Sequence, residues 1–269
     1  MYALQRGVVV AGLEVSLFGP PRIAHDGIPV PVERHKTLAL LAYLAVTRQP
    51  HGRDALAALL WPEESPGHGR AVLRNSLLDL SHAIGRDRIA AEADRVALRD
   101  GAGLHVDVTH FSVLMAGVRA HRDPPGRPCE TCLAALEEAA EHYQADFLEG
   151  FSLRDTANFD AWQTYQTERL RTALGDALER LAWGLAGRGD HPGAIGHAQR
   201  WASLHPANEA ATRCLMQLYA AAGDRGAAAH QYRVCAQALA EELGVAPERE
   251  TTALYEALMR GEAVSPRGS

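Results

Sequence analysis

A mainly α fold in two parts is predicted by three features of this sequence. The 269 residues are 47% hydrophobic but only 6% aromatic, with alanine and leucine dominating the apolar content. That balance suits helices and is enough for two modest cores. Second, Gly69–Gly85 (GRAVLRNSLLDLSHAIG) repeats Leu73, Leu77, Leu80 and Ile84 at helical spacing, which makes one buried stripe. Two apolar helices precede it and a hairpin pattern follows, which is the order of a winged helix-turn-helix. Third, the C-terminal half repeats itself: Leu215 lies 34 residues after Leu181, and Gly223-Asp224 lies 34 after Gly189-Asp190. Thirty-four is the tetratricopeptide period. The expected domains are an N-terminal winged helix-turn-helix with a small β-sheet and wing over 1–104, an all-α tetratricopeptide-like helical array over 105–262, and a disordered polar tail over 263–269.

Each element has its own local signal. Leu13–Leu17 and Ile23–Val32 alternate apolar and polar residues around Gly19-Pro20-Pro21 and Asp26-Gly27, as short strands joined by turns do. His35–Arg48 is a strongly apolar helix. Arg53–Trp61 is a second, stopped by Pro62, whose ring removes a ladder N–H and clashes with the preceding turn. Beyond Gly85, Arg88-Ile89-Ala90 and Val96-Ala97-Leu98 flank the polar Glu92-Ala93-Asp94-Arg95, and this hairpin is the expected wing.

Helices are expected over Thr109–Val118, Cys132–Ala145 and Phe159–Gly187, with Glu248–Arg260 closing the array. Inside the repeat, Leu178, Leu181, Ala182, Leu185, Ala194, Ala198 and Pro206 of the first unit hold apolar, small or proline positions. Leu215, Tyr219, Ala228, Tyr232 and Cys235 do so in the second. The small residues let paired helices approach, and the two Gly-Asp pairs make the turns between them.

Several classes are excluded. The early apolar run, Val8–Ala11 with Leu13, is too short to span a membrane and lacks a small-residue cleavage pattern. A cytoplasmic protein without membrane association is expected. Its four cysteines then read as reduced thiols or metal ligands and not as a disulfide framework. Cys129-Glu130-Thr131-Cys132 puts two thiols on one side of a turn, the arrangement zinc uses, and His121 and His142 flank it as candidate ligands. A structural zinc is the one cofactor the residues suggest. A thioredoxin-type role lacks its βαβ context. No phosphate-binding GxxxxGK[ST] loop, HExxH, GxSxG elbow or dinucleotide fingerprint occurs, so no enzyme is expected. Cys235 and the four tryptophans (Trp61, Trp162, Trp183 and Trp201) read as packing residues.

Opposite its buried stripe, the Gly69–Gly85 helix shows Asn75, Asp79 and His82, with Arg70 and Arg74 a turn apart on the flank. Such side chains meet base edges and phosphates. Net charge gives no general attraction to a polyanion: it is −6 overall, with 12 Lys+Arg against 11 Asp+Glu in residues 1–104 and 15 against 22 in the remainder. Binding to DNA would rest on local clustering of Arg34, Lys36, Arg53, Arg70, Arg74, Arg86, Arg88 and Arg95, with Arg95 on the wing reaching an adjacent minor groove. Ordinary solvated arginines are the competing reading. The acidic excess of the second half suits a protein partner better than a duplex.

In combination these segments resemble a known family. Leu13–Leu98 looks like the N-terminal domain of the SARP-type regulators (antibiotic regulatory proteins), through LEVSLFGPPRI, the Lys36–Leu44 helix, LLWPEE at Leu59–Glu64 and LRNSLLDL at Leu73–Leu80. The rest is similar to the bacterial transcriptional activator domain (BTAD) that follows it there, through VDVTHF, YQADFLEGF, GDHPGAI and EELGVAPERETTALYEAL. The resemblance implies a bacterial activator that binds direct repeats in double-stranded promoter DNA as a homodimer and helps recruit RNA polymerase. One departure is Asp79-Leu80-Ser81-His82, less basic than the usual end of the family's recognition helix. Many relatives also continue into an ATPase. The alternative is therefore a tetratricopeptide-like interaction module, or the regulatory front half of a longer ATPase regulator, with DNA binding weak or lost.

Overall fold

A computed structural model describes residues 12–99, 103–121, 123–124 and 127–262. The expected tail at 263–269 and the early apolar run at 8–11 lie outside the described residues. Strands β1 (Leu13–Ser16), β2 (Arg22–His25) and β3 (Ile28–Pro29) come first. They are followed by α1 (His35–Thr47), β4 (His51–Gly52), α2 (Arg53–Leu60), α3 (Pro66–Ile84), β5 (Ile89–Ala91), β6 (Arg95–Leu98) and β7 (Leu104–Val106). Helices α4 (Asp107–Ala120), α5 (Glu130–His142), α6 (Ala157–Ala186), α7 (His191–Leu204), α8 (Glu209–Ala221), α9 (Arg225–Ala238) and α10 (Arg249–Arg260) complete the order. Two compact units result. One is the chain up to Val113 with Glu141–Leu170, the other Leu114–Ala140 with the chain from Arg171.

The first unit holds two sheets. One has the order β3-β2-β1-β7. β1 pairs antiparallel with β2, Leu13 opposite His25, and parallel with β7, Leu13 opposite Leu104. Alternation sets the inner face, since Leu13 and Val15 are buried while Glu14 and Ser16 are not. Asp26 and Gly27 both take positive φ at the β2–β3 turn, as the sequence pair suggests. The Asp107 carboxylate accepts from the N–H groups of Leu17 (2.8 Å) and Phe18 (2.9 Å), fastening the end of β1 to the start of α4.

Helices α1, α2 and α3 form the helix-turn-helix. Leu40, Leu41 and Leu44 of α1, Leu56 and Leu60 of α2, and Leu73, Leu77, Leu80 and Ile84 of α3 make its core. α3 begins three residues before Gly69, because Pro66 suits a first turn where no intrahelical N–H is needed. Gly69 is itself buried against α2, and a methyl there would meet the Ala57 methyl at 3.4 Å, the near limit of van der Waals contact.

The wing hairpin pairs β5 with β6, Ile89 opposite Leu98 and Ala91 opposite Val96. β4 adds a third strand on the far edge of β6, His51 opposite Val96. Two residues carry no readable period, so this strand escapes sequence analysis. Residues 146–148 also join this unit: Gly19 N–H donates to the Asp146 carbonyl and Leu148 N–H to that of Leu17, both at 2.8 Å. Around them Phe18 packs on Tyr143 (4.4 Å between centroids), and Trp162 on Phe147 (5.6 Å) and Tyr43 (4.9 Å).

The second unit shows the repeat as repeated geometry. After α6, Gly189 N–H donates to the Ala186 carbonyl and Asp190 N–H to that of Leu185; after α8, Gly223 donates to Ala220 and Asp224 to Tyr219. The same turn ends α10, with Gly261 donating to Leu258 and Glu262 to Ala257. All three glycines have φ near +80° (83°, 81° and 79°), a left-handed cap that a Cβ would strain. Asp190 and Asp224 then cap the next helices, accepting from Gly193 and Ala227 N–H at 3.0 and 2.8 Å. Met216, Ala228, Leu254 and Leu258 form a core here, flanked by Tyr232 and Tyr255, whose rings stack at 4.2 Å.

Candidate nucleic-acid interface

α3 is held from behind by its leucine stripe and presents the opposite face to solvent. Arg70, Arg74, Leu78 and His82 follow at four-residue intervals, with Asn75 and Asp79 in the adjacent row. All are exposed except Asp79, which is half-buried. The expected polar face is thus assembled on one helix surface. Leu78, 51% exposed, is the member that sequence analysis passed over. The available signal was its place one residue off the Leu73, Leu77, Leu80, Ile84 spacing. Beside arginine and asparagine, an apolar side chain of this size suits a thymine methyl.

The cations around this face divide into two groups. Arg34, at the start of α1, pairs with Asp79 at 3.2 Å. Arg70 forks through Nε and Nη2 onto the Asp54 carboxylate of α2, and Asp94 of the wing turn stands 4.0 Å from Nη2. Lys36 Nζ donates to Glu63 at 2.7 Å and lies 5.8 Å from the centre of the Trp61 ring. The hydrogen bonds from Arg70 and Lys36 hold the Asp54 and Glu63 carboxyls below the usual carboxylate range. The Arg34–Asp79 and Arg70–Asp54 pairs are about half exposed, so each contributes little to stability. Arg53, Arg74, Arg86 and Arg95 make no ion pair among the described residues. Among the described residues, the Arg88 side chain donates to the Gly103 carbonyl, at 3.4 Å. Arg53 N–H donates to the Asp94 carbonyl at 3.0 Å, tying the start of α2 to the wing turn that carries Arg95.

The candidate metal ligands sort differently from the sequence expectation. His121, Asp123, Cys129 and Cys132 bring one ligand atom each within 4.8 Å of one another. His142 stands elsewhere, at the end of α5, its ring 4.7 Å from His110 and 5.7 Å from His105. Asp123 takes the place expected for it, its carboxylate held at the CxxC by the Cys129 N–H. Burial, followed by the Asp123 hydrogen bond, pushes the Cys132 thiol up to about 12.

The fold, a winged helix-turn-helix followed by tetratricopeptide-like helix pairs and mainly helical, is that of the SARP-type family. More particularly, the chain belongs to the bacterial transcriptional activator domain family, whose profile matches residues 106–259. It is 27% identical over 270 residues to the transcriptional regulatory protein EmbR of Mycobacterium tuberculosis and of Mycobacterium bovis, covering 96% of this chain. It spans 66% of the length of those relatives. It is 26% identical to the transcriptional regulatory protein MoaR1 of Mycobacterium bovis, covering 92% of this chain and 79% of that one. Among solved structures, Mycobacterium tuberculosis EmbR in complex with low affinity phosphopeptide superposes with a TM-score of 0.73 at 26% identity, over 94% of this chain and 66% of EmbR. These relatives are transcriptional regulators, a non-enzymatic family. No helix among the described residues is long and apolar enough to cross a membrane.

Proposed function

We propose that this chain is a DNA-binding transcriptional activator that lays α3 in the major groove and the β5–β6 wing over the neighbouring minor groove. The observation that carries the reading is the exposed row Arg70, Arg74, Leu78 and His82, with Asn75 beside it, backed by a buried leucine stripe. Arg74 supplies a bidentate donor for guanine or phosphate, Asn75 a donor and acceptor for adenine, and Leu78 an apolar contact. Arg34, Lys36 and Arg53 stand at helix starts around α3, and Arg95 on the wing, for positioning contacts to phosphates. Family kinship supports direct-repeat promoter DNA as the target, a homodimer as the bound form and RNA polymerase as the protein partner.

The pairing of Arg34 with Asp79 and of Arg70 with Asp54 favours a second reading, an interaction module in which DNA contact is weak. Salt separates the two. Anisotropy titrations of the protein on its own upstream DNA are expected to show log K falling steeply with log salt, with a slope of about −0.9 per phosphate contacted. A shallow slope, together with no discrimination between upstream DNA and an unrelated duplex, would reject the activator reading in favour of the module.

A further inference from the structure

We infer that His121, Asp123, Cys129 and Cys132 form a zinc site that clasps the end of α4 to the start of α5. Three distances converge on His121 Nδ1: 3.1 Å to Cys132 Sγ, 3.4 Å to Cys129 Sγ and 3.2 Å to Asp123 Oδ1. A tetrahedral zinc with bonds of about 2.0–2.3 Å places its ligand atoms about 3.3–3.8 Å apart. The cluster is therefore already contracted to the scale of a coordination shell. Two thiols, an imidazole and a carboxylate are the mixed set that zinc accepts, and thiolates disfavour calcium and magnesium.

The surroundings orient these ligands. Cys129 N–H donates to Asp123 Oδ2 at 3.1 Å, which leaves Oδ1 turned toward His121. Cys132 N–H donates to Cys129 Sγ at 3.4 Å, which fixes the direction of that sulfur. Outer contacts of this kind fix the direction of metal ligands. Behind the cluster, Gly184 of α6 has no Cβ, and one placed there would lie 2.7 Å from Pro128 and 2.8 Å from Leu133. The turn that carries Cys129 thus rests directly on helix backbone.

Binding takes one Zn²⁺ and releases the two thiol protons to solvent, with His121 neutral and coordinating through Nδ1. No redox change is involved. The site holds two helix ends and shares no residue with the α3 face, so its outcome is independent of DNA binding.

The test is metal analysis of the full chain purified without chelator, followed by Co²⁺ exchange and thiol titration. One zinc per chain is expected, with a thiolate-to-cobalt charge-transfer band and both thiols protected until the metal is stripped. Cys129→Ser and Cys132→Ser should lose the band, Asp123→Asn should weaken binding by at least the roughly 10- to 100-fold that loss of an outer-shell partner costs, and His142→Gln should bind as the parent does. Should a cysteine variant fail to fold, the parent's own cobalt spectrum and thiol protection still decide the matter. Metal-free protein that takes up no cobalt and whose thiols react freely would overturn the inference and leave a hydrogen-bonded cluster. A Cys129–Cys132 disulfide in the native protein would overturn it as well. Loss of binding in His142→Gln with retention in Asp123→Asn would overturn the assigned ligand set.

Discussion

At the scale of single residues, the α3 face depends on which charges are already committed. Arg34 and Arg70 hold Asp79 and Asp54, whereas Arg74 makes no ion pair among the described residues. In the proposed DNA complex, Arg74 is therefore the α3 arginine that would engage DNA without first releasing a carboxylate. Replacing it with alanine is expected to cost about 1–3 kcal/mol of promoter affinity, roughly 5- to 150-fold. Because its side chain is exposed, the melting temperature should stay within a degree or two of the parent, as surface changes typically stay within about 0.5 kcal/mol. Anisotropy at matched salt, with a parallel thermal melt, checks both halves. Parent-like affinity would remove Arg74 from the contact set.

The elements depend on close approach as much as on the apolar stripes. Gly184 sits within α6, where glycine costs about 1 kcal/mol relative to alanine in helix propensity. On propensity alone, Gly184→Ala would stabilise. The structure reverses that sign, since the new methyl would fall 2.7–2.8 Å from Pro128 and Leu133. Overpacking of this kind costs about 1–3 kcal/mol, so a net loss of stability is expected and a urea midpoint will show it. A gain would mean that the Pro128 turn moves aside freely. The repeated Gly-Asp turns belong to the same scale. Their period was legible because both the cap glycine and the capping aspartate are dictated locally, by positive φ and by unpaired N–H groups at helix starts.

At the scale of the whole molecule, two partly buried histidines set an acid limit. Burial lowers the pKa of His51, whose Nε2 lies 2.7 Å from Thr47 Oγ1, and of His197 on α7. In the unfolded chain both return to the ordinary value near 6.5. Below that value the unfolded state binds more protons than the folded one, so stability falls as pH drops through the window between it and the lowered folded values. Above it, their contribution is fully present. Urea midpoints followed from neutral to mildly acidic pH should decline in the parent, and the decline should flatten in a His51→Gln, His197→Gln double variant. An equal slope in both proteins would assign the acid sensitivity to other groups.

The sequence by itself determined the helices, the wing hairpin, the 34-residue repeat and the family, because each is written in local periodicity and turn chemistry. It also placed Arg74, Asn75 and His82 on the exposed side of α3, since a helix of known spacing leaves its opposite face no alternative. The tertiary structure decided what depends on residues distant in the chain. It put β4, at His51–Gly52, beside β6 at Arg95–Leu98, where a two-residue strand has no period of its own. Arg34 met Asp79 and Arg70 met Asp54 through the packing of α1 and α2 on α3, so charge counting along the chain overstated the free cations. Asp123, and not His142, joined the two cysteines. Ligand geometry follows from which side chains the fold brings together rather than from the number of intervening residues.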